Sequence, residues 1–547
     1  NVAIFYGGVY LASTSAANLE IIDVARIEVV RGPQSALYGR NAFNGAINFV
    51  PAAPTEQFFA RAEGTVGTDE RYEGKLILSG PFTDKLRGRL AVSYNTFDGT
   101  YRNRFKPNDN IGGFETKNAS GMIDFDATEA LSLRLFGLYT DDHRDPSALY
   151  FYSANNCGPP GLPLTAVCGE YAYRDDIVQH PAAKGFTREV ALGAFDISYK
   201  LDSGTRAGEL KLISQSALYD SKTQNFTQYD ANGVGTPFTR ILLADVARLS
   251  TDPGVIARAA AARVSPAQQA YREAPPVAGN PTVLVPIFVG SSPINTRAFS
   301  QELRVETDPE RRLRAALGVF YYKNEYDNKA GLAFSAENLR TGETFRDLAN
   351  FGFLFSSAIS NDPRNSVLDT TNGLRVDYQK AYFGSWEFDV FDNLTIGGEL
   401  RHDTEDRQQF SRANPAASFQ RREFKYNTWR YHVDWGWGER QRFYISAAKG
   451  LISGHFNNTF DALANQPVPP ALQAYDPAEN RTYELGWKAE WLERRLATEV
   501  ALFHITYDGL QVNATPPPPL INAIIQNIGK ASARGIEAAA NWAITDR

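Results

Sequence analysis

The residue types best suited to chemistry are few and scattered. Six histidines, His143, His180, His402, His432, His455 and His504, are spread through 547 residues. None sits at the spacing of a metal-binding or general-base pair. The two cysteines, Cys157 and Cys168, have ten residues between them in a Pro/Gly-rich segment. That suits a disulfide closing an exposed loop in an oxidising compartment, or two unrelated thiols. With no histidine beside them they make a poor metal site. Neither an enzyme nor a resident metal or cofactor is expected. What the chain has in quantity are groups that stack. Aromatic clusters occur at Tyr150-Phe151-Tyr152, Tyr171-Tyr173 and Phe351-Phe353-Phe355. Their faces suit a catechol, a sugar ring or an aryl acid, and equally packing among themselves.

The elements that must carry these groups are strands. The chain has 34 Phe, 26 Tyr and 43 Gly against 1 Met, and a net charge of −6. That mild charge, with no basic stripe, argues against a nucleic-acid partner. No window holds the roughly eighteen consecutive apolar residues of a membrane helix, and the mean hydropathy is −0.35. An outer-membrane barrel reads the same way, because only alternate strand residues face lipid. From Phe58 onward the pattern has period two. Leu86, Gly88, Leu90, Val92 and Tyr94 share one face, with Arg87, Arg89, Ala91, Ser93 and Asn95 on the other. Leu313, Ala315, Leu317, Val319 and Tyr321 oppose Arg314, Ala316, Gly318, Phe320 and Tyr322 in the same way.

The connections separate a barrel from a sandwich. Tight polar turns at Asp126–Glu129, Asp202–Thr205, Thr307–Glu310, Asp392–Asn393, Gly436–Glu439 and Leu492–Arg494 alternate with long excursions such as 141–187, 220–296 and 326–377. Short periplasmic turns and long extracellular loops predict this alternation. About sixteen strands can be counted, the first near 58–66 and the last near 533–543. The aromatic clusters and Cys157/Cys168 then fall in extracellular loops. The longest excursion carries a candidate short helix within Arg240–Ala274, either a lid or a packing element.

Ahead of the alternation lies a different packet. NVAIFYGGVY is an apolar strand with a Gly-Gly break, Leu11–Asn18 reads as a loop, and Leu19–Ala25 as a helical turn. Ile27–Val50, IEVVRGPQSALYGRNAFNGAINFV, then reads strand, turn, one helical turn over Ser35–Tyr38, turn and strand. Gly32, Gly39 and Gly45 fall where positive φ or close backbone approach is needed. This stretch resembles, nearly residue for residue, the second half of the plug domain of TonB-dependent outer-membrane receptors. Family-like wording recurs downstream in the family's order, in Ser300-Gln301-Glu302-Leu303-Arg304, Tyr444–Asn457, Glu479–Trp487 and Asn527–Ala531.

The resemblance implies an α+β plug, residues 1–53, inside an antiparallel transmembrane β-barrel, residues 54–547, of about 22 strands when complete. Both ends read as cut, so the chain is expected to be an internal fragment of a monomeric receptor. The implied activity is gated import of a large scarce solute, with a ferric siderophore first. Oligosaccharide, cobalamin, haem and plant-derived aromatics are the other solutes considered. A passive porin or adhesion barrel is the reading from another class. Implied partners are TonB with ExbB–ExbD, acting through an upstream box, and the lipid and lipopolysaccharide of the outer membrane. Solute is expected to meet the plug apices at Tyr10, Ser13, Thr14, Ser15, Asn41 and Phe43, and the loops at Tyr150, Tyr152, Tyr171, Tyr173, Phe351 and Phe353. Glu28, Arg31 and Arg40 are the expected latch, paired with Glu399, Arg401, Glu484 or Lys488 across a polar lumen; pairing within the plug is the alternative.

Overall fold

A computed structural model describes residues 2–12, 19–36, 38, 39, 41–103, 110–146, 176, 177, 185–204, 208–228, 236–238, 283–285, 287–291, 294–335, 359, 360, 368–412, 415–461, 466–516, 520 and 523–545. The candidate loop sites Tyr150, Tyr152, Tyr171, Tyr173, Phe351 and Phe353 lie outside them. So do Ser13, Thr14, Ser15, Arg40, Cys157, Cys168 and the candidate helix.

The N-terminal packet is a four-stranded sheet of β1 (Ala3–Tyr6), β2 (Val9–Tyr10), β3 (Val24–Arg31) and β4 (Gly45–Pro51). β1 pairs antiparallel with β2 and parallel with β4, which pairs antiparallel with β3. Between β3 and β4 the backbone makes the expected single turn, with Tyr38 N–H on Gln34 O at 2.9 Å and Gly39 N–H on Ser35 O at 3.0 Å. Gly39 ends it at φ +74°. Gly45 has φ +150°, and a Cβ there would lie 2.5 Å from Val30 O, so no side chain fits. The stretch Leu19–Ala25 departs from expectation. It is extended, and β3 already begins at Val24. Tertiary contact overrides the local preference, because Ile22 is buried against Ile77 and Ala91.

Beside three two-stranded ribbons, most of the rest is one sheet of 19 strands. Sixteen of these are long: β5 (Phe59–Val66), β6 (Tyr72–Thr83), β7 (Leu86–Asn103), β8 (Asn110–Asp126), β9 (Leu131–Arg144), β10 (Gly185–Asp202), β11 (Glu209–Gln228), β12 (Ile294–Thr307), β13 (Leu313–Ser335), β14 (Leu368–Phe391), β15 (Leu394–Ser411), β16 (Gln420–Trp437), β17 (Gln441–Ile452), β18 (Ala478–Trp491), β19 (Leu496–Ala514) and β20 (Ile524–Trp542). Each pairs antiparallel with the next. In the sheet order β20 stands beside β5. Among the described residues, β5 has a residue-by-residue register with β6 alone and β20 with β19 alone. Almost every residue of both is exposed.

Alternation sorts the side chains as the sequence predicts. Leu90, Tyr94, Ile123, Leu317, Val319, Tyr431, Val433 and Leu485 point outward and are exposed, while Ala91, Met122, Asp124 and Tyr322 on the other face are buried. Exposed apolar rows of this size are what a barrel offers to lipid. Trp435, Trp437, Phe443, Trp487 and Trp491 stack beside the short turns, with centroids 5.5–6.2 Å apart, as an aromatic girdle does. On the opposite side of the apolar rows, the outward face turns to ion pairs: Lys117–Glu115, Lys222–Glu189, Arg297–Asp220, Lys323–Glu325 and Lys425–Glu423. Strands run further than the alternation indicated. β13 extends to Ser335 and β20 starts at Ile524, so the excursions from 326 and to 532 are partly strand.

Candidate functional site

The site is the boundary between plug and wall. Plug residues reach strands all the way round: Asp23 to Arg89 on β7, Tyr6 to Phe136 on β9, Tyr10 to Tyr322 on β13, Ser35 to Leu451 on β17, Phe43 to Asn480 on β18 and Arg31 to Glu537 on β20. Contacts in so many directions place the small sheet inside the barrel.

The attachments differ in kind. On one side the plug is bound by apolar contact. Tyr6, Val9, Leu11 and Leu19 share a buried cluster with Met122, Phe136, Leu138, Val190, Leu192 and Tyr322. Tyr6 stacks on Phe136 at 5.6 Å. Burial raises the Tyr6 hydroxyl pKa, with the Asp23 charge adding to it. The expectation of a polar lumen is therefore corrected on this side. Each of these side chains stabilises the seated plug by about 1.5–3 kcal/mol relative to exposure.

At the edge of that cluster sits one ion pair. Arg89 donates through Nε to Asp23 Oδ2 at 2.6 Å and through a terminal nitrogen to Oδ1 at 2.7 Å. The two side chains are only 11% and 9% exposed. Among the described residues this bidentate pair is the buried ion pair that joins plug to wall, and neither partner was among the expected ones; Arg40 lies outside those residues. Alternation already put Arg89 on the inward face of β7. The missing signal was Asp23, hidden in a stretch read as helical. Nearby, burial raises the Glu20 carboxyl pKa and the Glu73 charge raises it further, while hydrogen bonds from Asn95 and Asn118 draw it back.

The expected latch residues behave otherwise. Glu28 accepts from Arg26 at 2.8 Å and from Asn48 at 3.0 Å, both in the plug, and those bonds lower its pKa. Arg31 does reach the wall, at Glu537, but over 3.4 Å with both groups exposed, a pair worth little. The proposed wall partners are engaged elsewhere: Arg401 with Asp403, Glu399 with Arg430, Lys488 with Glu499 and Glu484 with Tyr444. Arg401 still touches the plug sterically. A Cβ on Gly39 would lie 2.9 Å from its guanidinium.

The other side of the plug is held by neutral hydrogen bonds. Ser35 Oγ accepts from Leu451 N–H at 3.2 Å, and Asn480 Nδ2 donates to Phe43 O at 2.8 Å while its Oδ1 accepts from Gly450 N–H at 2.9 Å. Of the expected apex residues, Phe43 is 2% exposed and packs on Tyr507 at 6.0 Å, so it supports the plug and is closed to solute. Tyr10 and Asn41 are half-buried and bonded to each other, Asn41 Nδ2 donating to Tyr10 Oη at 2.6 Å.

No helix among the described residues is long and apolar enough to cross a membrane, and no cluster of metal-ligating side chains occurs among them.

Comparison with known proteins agrees with this architecture. Residues 1–46 match the TonB-dependent receptor plug domain, and residues 287–546 the TonB-dependent receptor-like β-barrel. The pesticin receptor of Yersinia pestis is 34% identical over 113 residues, 20% of this chain and 17% of that protein. The vitamin B12 transporter BtuB of Photobacterium profundum is 26% identical over 139 residues, 25% of this chain and 23% of that one. The chain thus aligns with under a quarter of these relatives' lengths. The crystal structure of the ferric yersiniabactin uptake receptor FyuA from Yersinia pestis superposes with a TM-score of 0.65 at 16% identity, over 100% of this chain and 68% of that one, a likeness of fold. With a plug seated in a β-barrel and both parts matched, the chain belongs to the family of TonB-dependent receptors.

Proposed function

We propose that this chain is part of an energy-coupled importer of the outer membrane, and that its solute is a ferric siderophore. The observation that carries the reading is the seated plug with its buried Asp23–Arg89 pair. A passive pore has no use for a domain filling its lumen, and breaking one side of a buried pair costs about 3–5 kcal/mol. Release therefore calls for applied force, which TonB with ExbB–ExbD would supply from the periplasm. On this reading residues 1–53 are the moving part and 54–547 the fixed wall, monomeric, embedded in outer-membrane lipid and lipopolysaccharide. Receptor and transporter names among the relatives, for pesticin, ferric yersiniabactin and vitamin B12, support import over catalysis. They favour an iron chelate and leave cobalamin and glycans as competitors.

Two measurements test this. Intrinsic fluorescence of the full-length receptor in detergent is titrated with ferric siderophores, cobalamin, oligosaccharides and aryl acids. Sub-micromolar quenching by one ferric chelate is expected; response to another class alone would replace the solute. Deleting 1–53 should turn a closed barrel into a conducting one in planar bilayers. Unchanged conductance would favour the passive barrel.

A further inference from the structure

On the outward face of the wall the apolar rows are not flat. Between β10 and β14 they are hollowed into a shallow groove of about 710 Å³. Two small residues account for the hollow. Ser214 on β11 takes the place that register sets between Ile197 on β10 and Leu303 on β12. On β14, Gly384 stands opposite Leu317, and a Cβ there would lie 2.8 Å from Leu317 Cδ2. Leu317 therefore leans onto β14, away from Val305 on β12, and leaves that side of the groove unfilled. Leu303, Leu317, Val319 and Tyr382 line it and are exposed. Directly above, towards the long loops, the same face turns basic. Lys380 is the next outward residue above Tyr382 on β14, and it is exposed. Register sets it beside Tyr321 on β13 and Thr404 on β15, with Lys425 on β16 beyond Thr404 and Lys323 diagonal to it on β13. The other charges at this level are paired: Lys323 with Glu325 and Lys425 with Glu423, both at 2.7 Å, and Arg421 with Asp406 at 2.8 Å. Among the described residues Lys380 has neither an ion pair nor a hydrogen bond.

A free ammonium at the top of an apolar groove suits an amphiphile, with its anion above and its hydrocarbon below. The spacing fits the leaflet that the groove faces. Lys380 and Tyr382 are two residues apart, about 7 Å along the strand and roughly 5 Å of height at a 40° tilt. The headgroup layer of a bilayer is itself about 5–8 Å deep on each side. A soluble anion would meet Lys380 and leave the groove unused. A second copy seated here by two-fold symmetry would bring its own basic row against this one, and like charges oppose that contact. We propose that Lys380 and the groove beneath it hold one phosphorylated acyl lipid of the outer leaflet, the lipid A portion of lipopolysaccharide. A phosphate sits on the ammonium, and a chain lies against Leu303, Leu317 and Tyr382. The seat rests on the outer-membrane placement in the import reading and is independent of which solute is carried.

The test is native mass spectrometry of the full-length receptor, stripped of lipid in detergent and then given bis-phosphorylated lipid A or its dephosphorylated form. The parent should retain one molecule of the phosphorylated form and bind the other at least about fivefold more weakly. Lys380→Gln should weaken lipid A by about fivefold and narrow the preference for phosphate. Ser214→Phe, which fills the floor of the groove, should weaken both forms. Lys117→Gln, on the outward face of β8 and paired with Glu115, should change neither. Heat-modifiable gel mobility checks that the variants are folded barrels. No adduct, an adduct unaltered by Lys380→Gln and Ser214→Phe, or one that falls equally with Lys117→Gln overturns the seat. Paired receptors in place of lipid adducts also overturn it and assign the face to a second copy. Ferric-siderophore titration on the same preparations keeps the two readings apart. Chelate binding without a lipid adduct removes the seat and leaves import standing. Lipid binding sensitive to both groove variants upholds the seat even if no chelate is recognised.

Discussion

Cutting the Asp23–Arg89 pair from one side is the sharpest available perturbation of the seated plug. Asp23→Ala leaves the Arg89 guanidinium facing a lumen that has closed around it. The side chains are 9% and 11% exposed, so a little water relieves the stranded charge. That puts the cost at the low end of the range for a broken buried pair, about 3 kcal/mol. Such a loss raises the unseated population on the order of a hundredfold. The apolar cluster around Tyr6 and Val9 is untouched, so the plug stays seated most of the time. The assay is single-channel recording of the full-length receptor in planar bilayers, counting spontaneous openings. Asp23→Ala and Arg89→Ala should each raise their frequency about a hundredfold. The double variant, with no stranded charge, should fall below the sum of the singles by about 2 kcal/mol. Singles within a factor of two of the parent, or effects that simply add, would refute the latch.

Other perturbations separate the attachments. Arg31→Ala, which removes an exposed pair, should change opening frequency by less than about twofold. Asn480→Leu strips hydrogen bonds from both Phe43 O and Gly450 N–H and should cost about 1–3 kcal/mol in the same recording. Gly45→Ala drives a Cβ into Val30 O and should leave the plug sheet unformed, seen as protease cleavage within residues 24–51 in an otherwise folded barrel. The Glu20 carboxyl pKa is raised in the seated plug, so its protonated form is favoured there. Its contribution is fully present below the unperturbed carboxylate range and is lost as pH rises through the raised value. Openings should therefore become more frequent across that window, and Glu20→Gln should flatten the dependence.

Much of the fold was legible because a transmembrane strand writes its environment into every second residue. The faces read from Leu86–Asn95 and Leu313–Tyr322 are those the structure turns to lipid and lumen. The glycines of Ile27–Val50 were legible too, since Gly32, Gly39 and Gly45 all take positive φ. The attachment of plug to wall was not. It depends on which inward residue lies opposite which plug residue, and that register emerges only after some 60 residues of chain have closed round: Asp23 and Arg89 are 66 apart. Charges beside an obvious turn, such as Glu28 and Arg31, drew attention because they are local. Glu28 is bonded within the plug and Arg31 lies exposed, so local prominence and energetic weight are separate matters. The lumen's apolar patch was missed for a related reason. Met122, Phe136 and Val190 break the polar rule of the inward face where the plug covers them.

The row of outward ion pairs above the apolar rows has a consequence for where encounter happens. On β13 the apolar side chains run from Leu313 to Tyr321, and the charges begin at Lys323. That is eight steps, about 27 Å along the strand and roughly 20 Å of height at a 40° tilt, close to the hydrocarbon thickness such barrels span. The same strand continues to Ser335, and β14 beside it is 24 residues long. At this pair of strands the wall thus stands about 30 Å beyond the apolar row, by the same rise and tilt. At these two strands the wall forms a raised lip above its own apolar band. On the proposed import role, a solute reaching this lip meets protein in water, at a distance from the lipid-facing rows.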